Sequence, residues 1–426
     1  MSGSAIIGEL EARGLIHDST DLDALRARLE AGPITLYVGF DPTGPSLHIG
    51  HLVPLLLLRR FQQHGHVPIA LAGGATGMVG DPGGRSAERN LLDAETLAYN
   101  VERIRGQLAA FLDFEPGPAQ ARLVNNYDWT RDVSVLDFLR DVGKHVPVNV
   151  MLAKDSIKSR LDAGGLSFTE FSYMLLQAFD FWHLHGAEGC ELQAGGADQW
   201  GNITAGVDLI RRRSTAGAHG LTVPLLTRAD GQKFGKTADG SVWLDPELTT
   251  PYALYQYFVN VDDADVELML LRLTLLPVDE AKAIAEAHAR APERRDGQKR
   301  LAREMVGLIH GESAAREADG ASQGFTRGAR ELSVDEWMML SLEIPTTRLR
   351  SLETDLIALL KRTGLASSNG DARRIIEGGG ISINDARVKE PRPLTAKDLF
   401  QDAYLMLRKG KRQRHLVVID ETADDG

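Results

Sequence analysis

An α/β fold is what this sequence predicts: a doubly wound parallel sheet, followed by an α-helical domain and a small α+β domain. Three observations predict it. Between Ile34 and Thr227, short apolar runs alternate with longer helical patterns, as parallel strands joined by crossover helices require. From about Thr250 to Arg330 the pattern turns helical and alanine-rich. Beyond residue 350, short strand and helix patterns return together with a local basic excess. At 426 residues the chain also exceeds a single core, which rarely grows past about 250 to 300 residues.

The predicted strands of the first domain are Ile34–Phe40, Pro68–Gly73, Arg122–Asn125, Glu191–Ala194 and Thr222–Leu226. Helical periodicity fills the gaps at Leu52–Gln63, Asp93–Leu112, Val133–Val142, Thr169–Trp182 and Gln199–Arg213. In such a sheet, ligands bind beyond the carboxyl ends of the strands, so residues just after Phe40, Gly73, Asn125 and Ala194 converge on one crevice. The stretch Gly320 to Arg330 lacks periodicity, and a second linker signal lies near Ile344-Pro345-Thr346. Leu352–Leu360 and Asp371–Glu377 then read as helices, and Ile381–Ile383 and Leu416–Ile419 as strands. The expected partition is 1–249 (sheet domain), 250–330 (helical domain), 331–350 (linker region), 351–420 (small α+β domain) and 421–426 (acidic tail).

Composition narrows the class. Hydrophobic residues at 43% and charged residues at 25% lie near the globular average, which excludes wholesale disorder and fibrous repeats. The longest apolar run, Leu52 to Leu58, contains Pro54 and is far too short to span a bilayer, and Met1-Ser2-Gly3-Ser4 does not open a leader of basic then apolar residues. No membrane association and a cytoplasmic location are therefore expected. Cys190 is the single cysteine; it cannot form an internal disulfide or build a metal cage, and its apolar surroundings mark it as a small buried residue. The net charge of −11 hides an asymmetry: residues 346–420 hold 15 Lys and Arg against 9 Asp and Glu. A basic segment in an acidic protein suits a polyanion, although charge alone favours a solvated basic face.

Three residue groups carry chemistry. His48-Ile49-Gly50-His51 follows the first strand and a turn from Asp41 to Ser46, and opens a helix. Imidazoles at i and i+3 share one side of a helical first turn, where unpaired N–H groups already favour an anion, and Gly50 lets a flat ring or backbone approach. Asp230-Gly231-Gln232-Lys233-Phe234-Gly235-Lys236-Thr237 places two lysines three residues apart on glycine-punctuated backbone after the last strand, which suits phosphate oxygens, although taken alone it reads more readily as a hydrophilic turn. Tyr173, Gln177 and Asp180 fall at i, i+4 and i+7 on an otherwise apolar helix. A helix this apolar is buried, so its polar stripe needs partners, and a binding pocket supplies them.

In this order and at this separation, the first two groups resemble the paired His-Ile-Gly-His and Lys-Met-Ser-Lys-Ser motifs of class I aminoacyl-tRNA synthetases. Further stretches are similar to those of the bacterial-type tyrosyl-tRNA synthetases: Tyr37-Val38-Gly39-Phe40-Asp41-Pro42-Thr43, Gly73-Gly74-Ala75-Thr76-Gly77, Val79-Gly80-Asp81-Pro82, Asn125-Asn126-Tyr127-Asp128-Trp129, Phe168-Thr169-Glu170-Phe171-Ser172-Tyr173 and Gly195-Gly196-Ala197-Asp198-Gln199-Trp200-Gly201. The resemblance runs from about Leu10 to Asp420. Ala372-Arg373-Arg374-Ile375-Ile376-Glu377-Gly378-Gly379-Gly380-Ile381 resembles an S4-type RNA-binding fold.

The resemblance implies a Rossmann-like catalytic domain that activates L-tyrosine with ATP and transfers it to tRNA(Tyr). An RNA-binding relative without catalysis, or a tryptophan-specific enzyme, is the alternative. It implies that Tyr37 and Asp180 flank the tyrosine hydroxyl; phenylalanine would leave both unpaired, a discrimination for which these synthetases are themselves the standing example. Tyr173, Gln177 and Asp81 would hold the ammonium group, with Asn126 and Gln193 also at the amino acid. Gly39, Asp41, Gly50, Gly196, Asp198, Gln199 and Lys236 would bind ATP or adenylate, with Asp198 at a ribose hydroxyl. Thr43, His48, His51, Arg85, Lys233, Lys236 and Thr237 would serve catalysis by stabilising phosphate charge. Arg85 stands where the family often has lysine, and Val38 where some members have cysteine. Magnesium is implied with the ATP phosphates, without a metal site of the protein's own. Arg373, Arg374, Lys389, Arg408, Lys409, Lys411 and Arg412 are the implied RNA contacts, and a homodimer is the implied assembly.

Overall fold

The computed structural model describes residues 4–82, 92–154, 157–158, 161, 165–214, 216–227, 234–237, 240–327, 331–410 and 413–423, with backbone alone at 4, 236–237 and 324–327. Its larger sheet is made of β1 (Asp18–Ser19), β2 (Thr35–Phe40), β3 (Val67–Ala72), β4 (Arg122–Asn125), β5 (Cys190–Gly196) and β6 (His219–Val223). Their spatial order is β1-β6-β5-β2-β3-β4, and every pairing except β1 with β6 is parallel. The chain starts this core at β2, moves outward to β3 and β4, then returns to the other side of β2 for β5 and β6. That reversal makes the switch point of a doubly wound sheet, where a ligand crevice opens between the carboxyl ends of β2 and β5.

The five predicted strands are all present. Residues on β2 and β3 are buried nearly throughout, which is why they read as continuous apolar runs rather than alternations. β6 ends at Val223, three residues before the predicted end, because Pro224 has no N–H to donate to a ladder. β1 was not predicted; two residues are too few to show a period. The helix Leu52–Gln63 matches its predicted bounds, whereas Phe168–Glu188 runs six residues past Trp182 until Gly189 ends it in the left-handed conformation at φ +64°. Cys190 is fully buried and inert, its thiol pushed up by burial.

The chain divides into two compact units, Met1–Leu248 with Asp262–Gly297, and Thr249–Val261 with Gln298–Gly426. Helices Val266–Leu273 and Val278–Arg290 belong to the first, and Pro251–Val259, Glu312–Arg327 and Val334–Glu343 to the second. Residues 320–327 of the stretch read as aperiodic continue the helix Glu312–Arg327, with Gly320 tolerated inside it. Residues 331–350, where a linker was expected, carry the helix Val334–Glu343 and a strand. After the short hairpin of β7 (Lys236–Thr237) and β8 (Gly240–Ser241), that strand is β9 (Thr346–Leu349).

It forms a second sheet with β10 (Ile381–Ile383), β11 (Ala386–Val388), β12 (Tyr404–Lys409) and β13 (Gln413–Ile419), in the order β11-β10-β12-β13-β9. Alternation sorts its two faces. Leu405, Leu407 and Val417 pack with the helices Leu356–Arg362 and Asn369–Glu377, while Tyr404, Met406, Leu416 and Val418 pack around the buried Trp337. No helix among the described residues is long and apolar enough to cross a membrane.

Candidate active site

At the switch point, Tyr37 of β2 lies in register with Gln193 of β5, so the two side chains leave the same face of the sheet. Both are almost completely buried. Neither the Tyr37 hydroxyl nor Gln193 Oε1 meets a hydrogen-bond partner among the described residues. A buried polar atom left unpaired costs about 1–3 kcal/mol, so two on one face fit a site that a polar ligand completes. Burial, with the neighbouring Asp180 charge second, pushes the Tyr37 phenol well above its usual value and keeps it a donor.

The helix Phe168–Glu188 presents the predicted stripe, with Tyr173 and Asp180 buried and Gln177 half-buried. Asp180 accepts from Asn126 Nδ2 and Trp129 Nε1, each at 2.9 Å, one on each oxygen. Burial nevertheless pushes its carboxyl up to about 7, against the downward pull of those two donors. Each carboxylate oxygen keeps a further lone pair for a ligand hydroxyl. Asn126 is wholly engaged within the chain: its Nδ2 also donates to Thr76 Oγ1 at 3.0 Å, and its Oδ1 accepts from the Ala75 N–H at 2.7 Å. It therefore orients Asp180 rather than offering spare donors.

The residues expected at the amino acid and those expected at the nucleotide touch one another. Tyr173 donates to Asp41 Oδ2 at 2.7 Å, and Thr76 to Asp41 Oδ1 at 2.7 Å. Gln199 Nε2 donates to Asp81 Oδ2 at 2.6 Å and is itself braced by Asn202 Nδ2 at 3.1 Å. Gly73 makes room for this network: a Cβ there would lie 2.2 Å from Asp41 Oδ1 and 2.5 Å from Thr76 Oγ1. Gly39 and Thr43 are exposed beside Asp41, and Asp198 is exposed beyond Gly196 at the carboxyl end of β5. Trp129 and Thr76 lay in quoted stretches of the sequence but drew no role. The signal for Trp129 was its indole N–H, which needs an acceptor when partly buried.

His48 caps the short helical turn Ile49–His51. Its Nδ1 accepts from the Gly50 N–H at 3.0 Å, and the His48 N–H donates to His51 Nδ1 at 3.1 Å. In the neutral rings this pattern assigns the proton to Nε2 of both, so both are Nε2–H donors, with ring centroids 4.0 Å apart. Gly235 and the strand-like residues 242–244, which follow the second motif, lie against this turn. The Ile49 N–H donates to Val242 O at 3.0 Å, the Leu244 N–H to Leu47 O at 2.8 Å, and His48 and Trp243 form an antiparallel bridge. Gly235, at φ +95°, would press a Cβ to 2.8 Å from Ile49 Cγ1. Lys236 and Thr237 pair as β7 with Ser241 and Gly240, and the residues flanking this pair, Gly235 and Val242, contact the His48 turn. Lys233 and Arg85 lie outside the described residues, as do the side chains of Lys236 and Thr237. Among the described residues, no group of three or more His, Cys, Asp or Glu could hold a metal ion.

In the second unit, Arg373 and Arg374 are exposed on the helix Asn369–Glu377, and Lys389 is exposed just after β11. Arg408 and Lys409 are half-buried; Lys409 Nζ donates to Leu365 O at 2.7 Å, and Arg408 stands 3.9 Å from Asp385. Lys411 and Arg412 lie outside the described residues.

Comparison with known proteins shows the family. Residues 29–326 match the family described as tRNA synthetases class I (W and Y), and residues 337–417 match the tyrosine–tRNA ligase SYY-like C-terminal domain. The chain is 53% identical to a tyrosine–tRNA ligase of Roseiflexus castenholzii, covering 97% of this chain and 99% of that one. It is also 53% identical to a tyrosine–tRNA ligase of Opitutus terrae, with the same two shares covered. Among solved structures, a C-terminally truncated mitochondrial tyrosyl-tRNA synthetase of Aspergillus nidulans superposes with a TM-score of 0.68 at 34% identity, over 75% of this chain and 94% of that one. The chain therefore belongs to the class I tRNA synthetases of the tryptophan and tyrosine type, and within them to the tyrosine–tRNA ligase family.

Proposed function

We propose that this chain activates L-tyrosine with ATP and transfers it to the terminal ribose of a tyrosine tRNA. The observation that carries the choice of amino acid is the buried, unpartnered Tyr37 hydroxyl under the influence of the buried Asp180 carboxylate. A tyrosine hydroxyl accepts from Tyr37 and donates to Asp180. Phenylalanine does neither, and an indole N–H cannot accept from Tyr37.

In the first step, an oxygen of the tyrosine carboxylate attacks the α-phosphorus of ATP. A bond forms between that oxygen and phosphorus, the bond to the bridging oxygen breaks, and pyrophosphate leaves. The carboxylate is already ionised at neutral pH, so no protein nucleophile is needed and catalysis rests on positioning and charge stabilisation. Gln177, Tyr173 and Asp81 suit the ammonium group, and the Tyr173–Asp41 and Gln199–Asp81 hydrogen bonds support subsites close enough for in-line attack. The Nε2–H groups of His48 and His51 suit the phosphates, joined by Lys233, Lys236 and Arg85. Magnesium carried on ATP, through phosphate oxygens and water, would add charge neutralisation. In the second step a ribose hydroxyl of the tRNA attacks the acyl carbon and AMP leaves; Arg373, Arg374 and Lys389 suit the RNA backbone.

A homodimer belongs to the same proposal. Val135, Leu136, Leu139, Val148 and Leu152 are exposed within two short helices, Leu136 at 78%, and such apolar surface marks an interface. Leu136→Asp is expected to give a monomer by light scattering; an unchanged mass would refute the assignment of that surface. Charging of bulk bacterial tRNA with labelled tyrosine tests the function, and a folded chain that forms no tyrosyl-tRNA would refute it.

A further inference from the structure

The helix Ala94–Phe111 buries Leu97, Val101, Ile104, Leu108 and Phe111. Asn100, Arg103 and Gln107, at i, i+3 and i+7, form a second, polar stripe along it. Each residue of that stripe holds a different part of the nucleotide site. Asn100 Nδ2, buried, donates to Pro42 O at 3.1 Å, fixing the turn that follows Asp41. Gln107 Oε1 accepts from the Leu47 N–H at 2.7 Å, and its Nε2 donates to Ser46 Oγ at 2.9 Å, gripping the entry to the His48–His51 turn. Arg103 pairs with Asp245, which is 7% exposed, and with Glu247 at 3.2 Å, just beyond the exit of the loop that carries Lys236.

The two gripped segments are bonded to each other. Leu47 O accepts both from Ser46 Oγ at 2.6 Å and from the Leu244 N–H at 2.8 Å. A fully exposed ion pair would contribute little, but Arg103 bridges two carboxylates, and Asp245 Oδ1 is further fixed by the Glu247 N–H at 2.9 Å.

We propose that Arg103 and Gln107 are positioning residues for tyrosine activation: from one helix they hold the His48–His51 turn and the segment 242–247 bonded to it at a fixed separation beside ATP. This rests on the reading of the crevice as a tyrosine-activating site. Neither residue is placed against the substrate. They act by holding the turn and that segment, so their loss falls on the ATP half of the reaction and leaves the tyrosine subsite of Tyr37 and Asp180 intact.

The test compares Arg103→Gln, Gln107→Leu and Arg103→Lys with the unsubstituted full chain. Tyrosine-dependent pyrophosphate exchange and tyrosine Kd by calorimetry are measured together with amide hydrogen exchange of residues 42–50 and 240–248. For the first two variants, kcat/KM for ATP is expected to fall about tenfold, since small misplacements of catalytic groups are costly, while tyrosine Kd holds within about twofold. Arg103→Lys is expected to recover part of the loss. Amide exchange should rise in the two segments and not in β2 or β3. A general loss of folding would instead lower active-site titre and raise exchange everywhere. Unchanged amide exchange in folded variants would overturn the clamp. Loosened segments with unchanged ATP kinetics, or an equal loss in tyrosine Kd, would overturn its part in activation. Variants that loosen as expected, beside an unsubstituted chain that catalyses no pyrophosphate exchange at all, would overturn the tyrosine-activating reading while leaving the clamp standing.

Discussion

Tyr37→Phe is expected to stabilise the ligand-free protein and weaken tyrosine binding at the same time. The Tyr37 hydroxyl is buried, has no hydrogen-bond partner among the described residues, and lies near the Asp180 carboxylate. An unsatisfied buried hydroxyl carries a desolvation cost of about 1–3 kcal/mol, and deleting it leaves the ring packed against Phe181 with centroids near their present 5.5 Å. Allowing for lost contacts of the oxygen itself, the net gain is about 1 kcal/mol, which raises the melting temperature of a chain this size by about 2 °C. Bound tyrosine loses one neutral hydrogen bond, also worth about 1 kcal/mol, or roughly fivefold in Kd. Thermal melts with and without tyrosine, together with calorimetric titration, measure both. A Phe variant that melts lower without ligand and binds tyrosine as tightly as before would show that the hydroxyl is satisfied by the protein, and the reasoning would fail.

The remaining expectations concern the same network. Burial pushes Asp180 up to about 7, above the ordinary carboxyl value of about 4. The folded, ligand-free chain therefore keeps a proton that the unfolded chain loses, so the group's contribution to stability is full below about pH 4 and is lost as pH rises through about 7. A tyrosine hydroxyl donates to the ionised form, so tyrosine Kd should fall as pH rises from about 6 to 8; Asp180→Asn should flatten the profile, and a pH-independent Kd in the unsubstituted chain would contradict the assignment. Gly73→Ala drives a Cβ into Asp41 and Thr76 and is expected to cost about 1–3 kcal/mol, read by denaturant titration. Asn126→Ala strands the Ala75 N–H and removes a donor from Asp180, for an expected loss of about 2–3 kcal/mol together with weaker tyrosine binding.

How much was legible before the structure depended on whether a residue's role was local. β2 and β3 showed as apolar runs because both of their faces are covered, and the stripe of Tyr173, Gln177 and Asp180 showed because helical spacing is a property of sequence. β9 and β12 were missed because their identity comes from the sheet they join: β9 is held by a parallel pairing to β13, 70 residues away. The helix through Gly320 was hidden because small and polar residues there are carried by packing rather than periodicity. Within the site, spacing could name Asp41, Asp81 and Gln199 only through resemblance; that Tyr173 grips Asp41 and Gln199 grips Asp81 depends on segments after three strands meeting one helix at the sheet edge. Arg103 and Gln107 had no motif at all, since each looks like an ordinary surface residue until the segment it holds is known.

Pyrophosphate exchange into ATP, run across amino acids with the intact chain, tests the central claim most directly. Exchange that depends on L-tyrosine, with little from phenylalanine or tryptophan, is the predicted result. Exchange supported by tryptophan in preference to tyrosine, or none from folded protein, would contradict it.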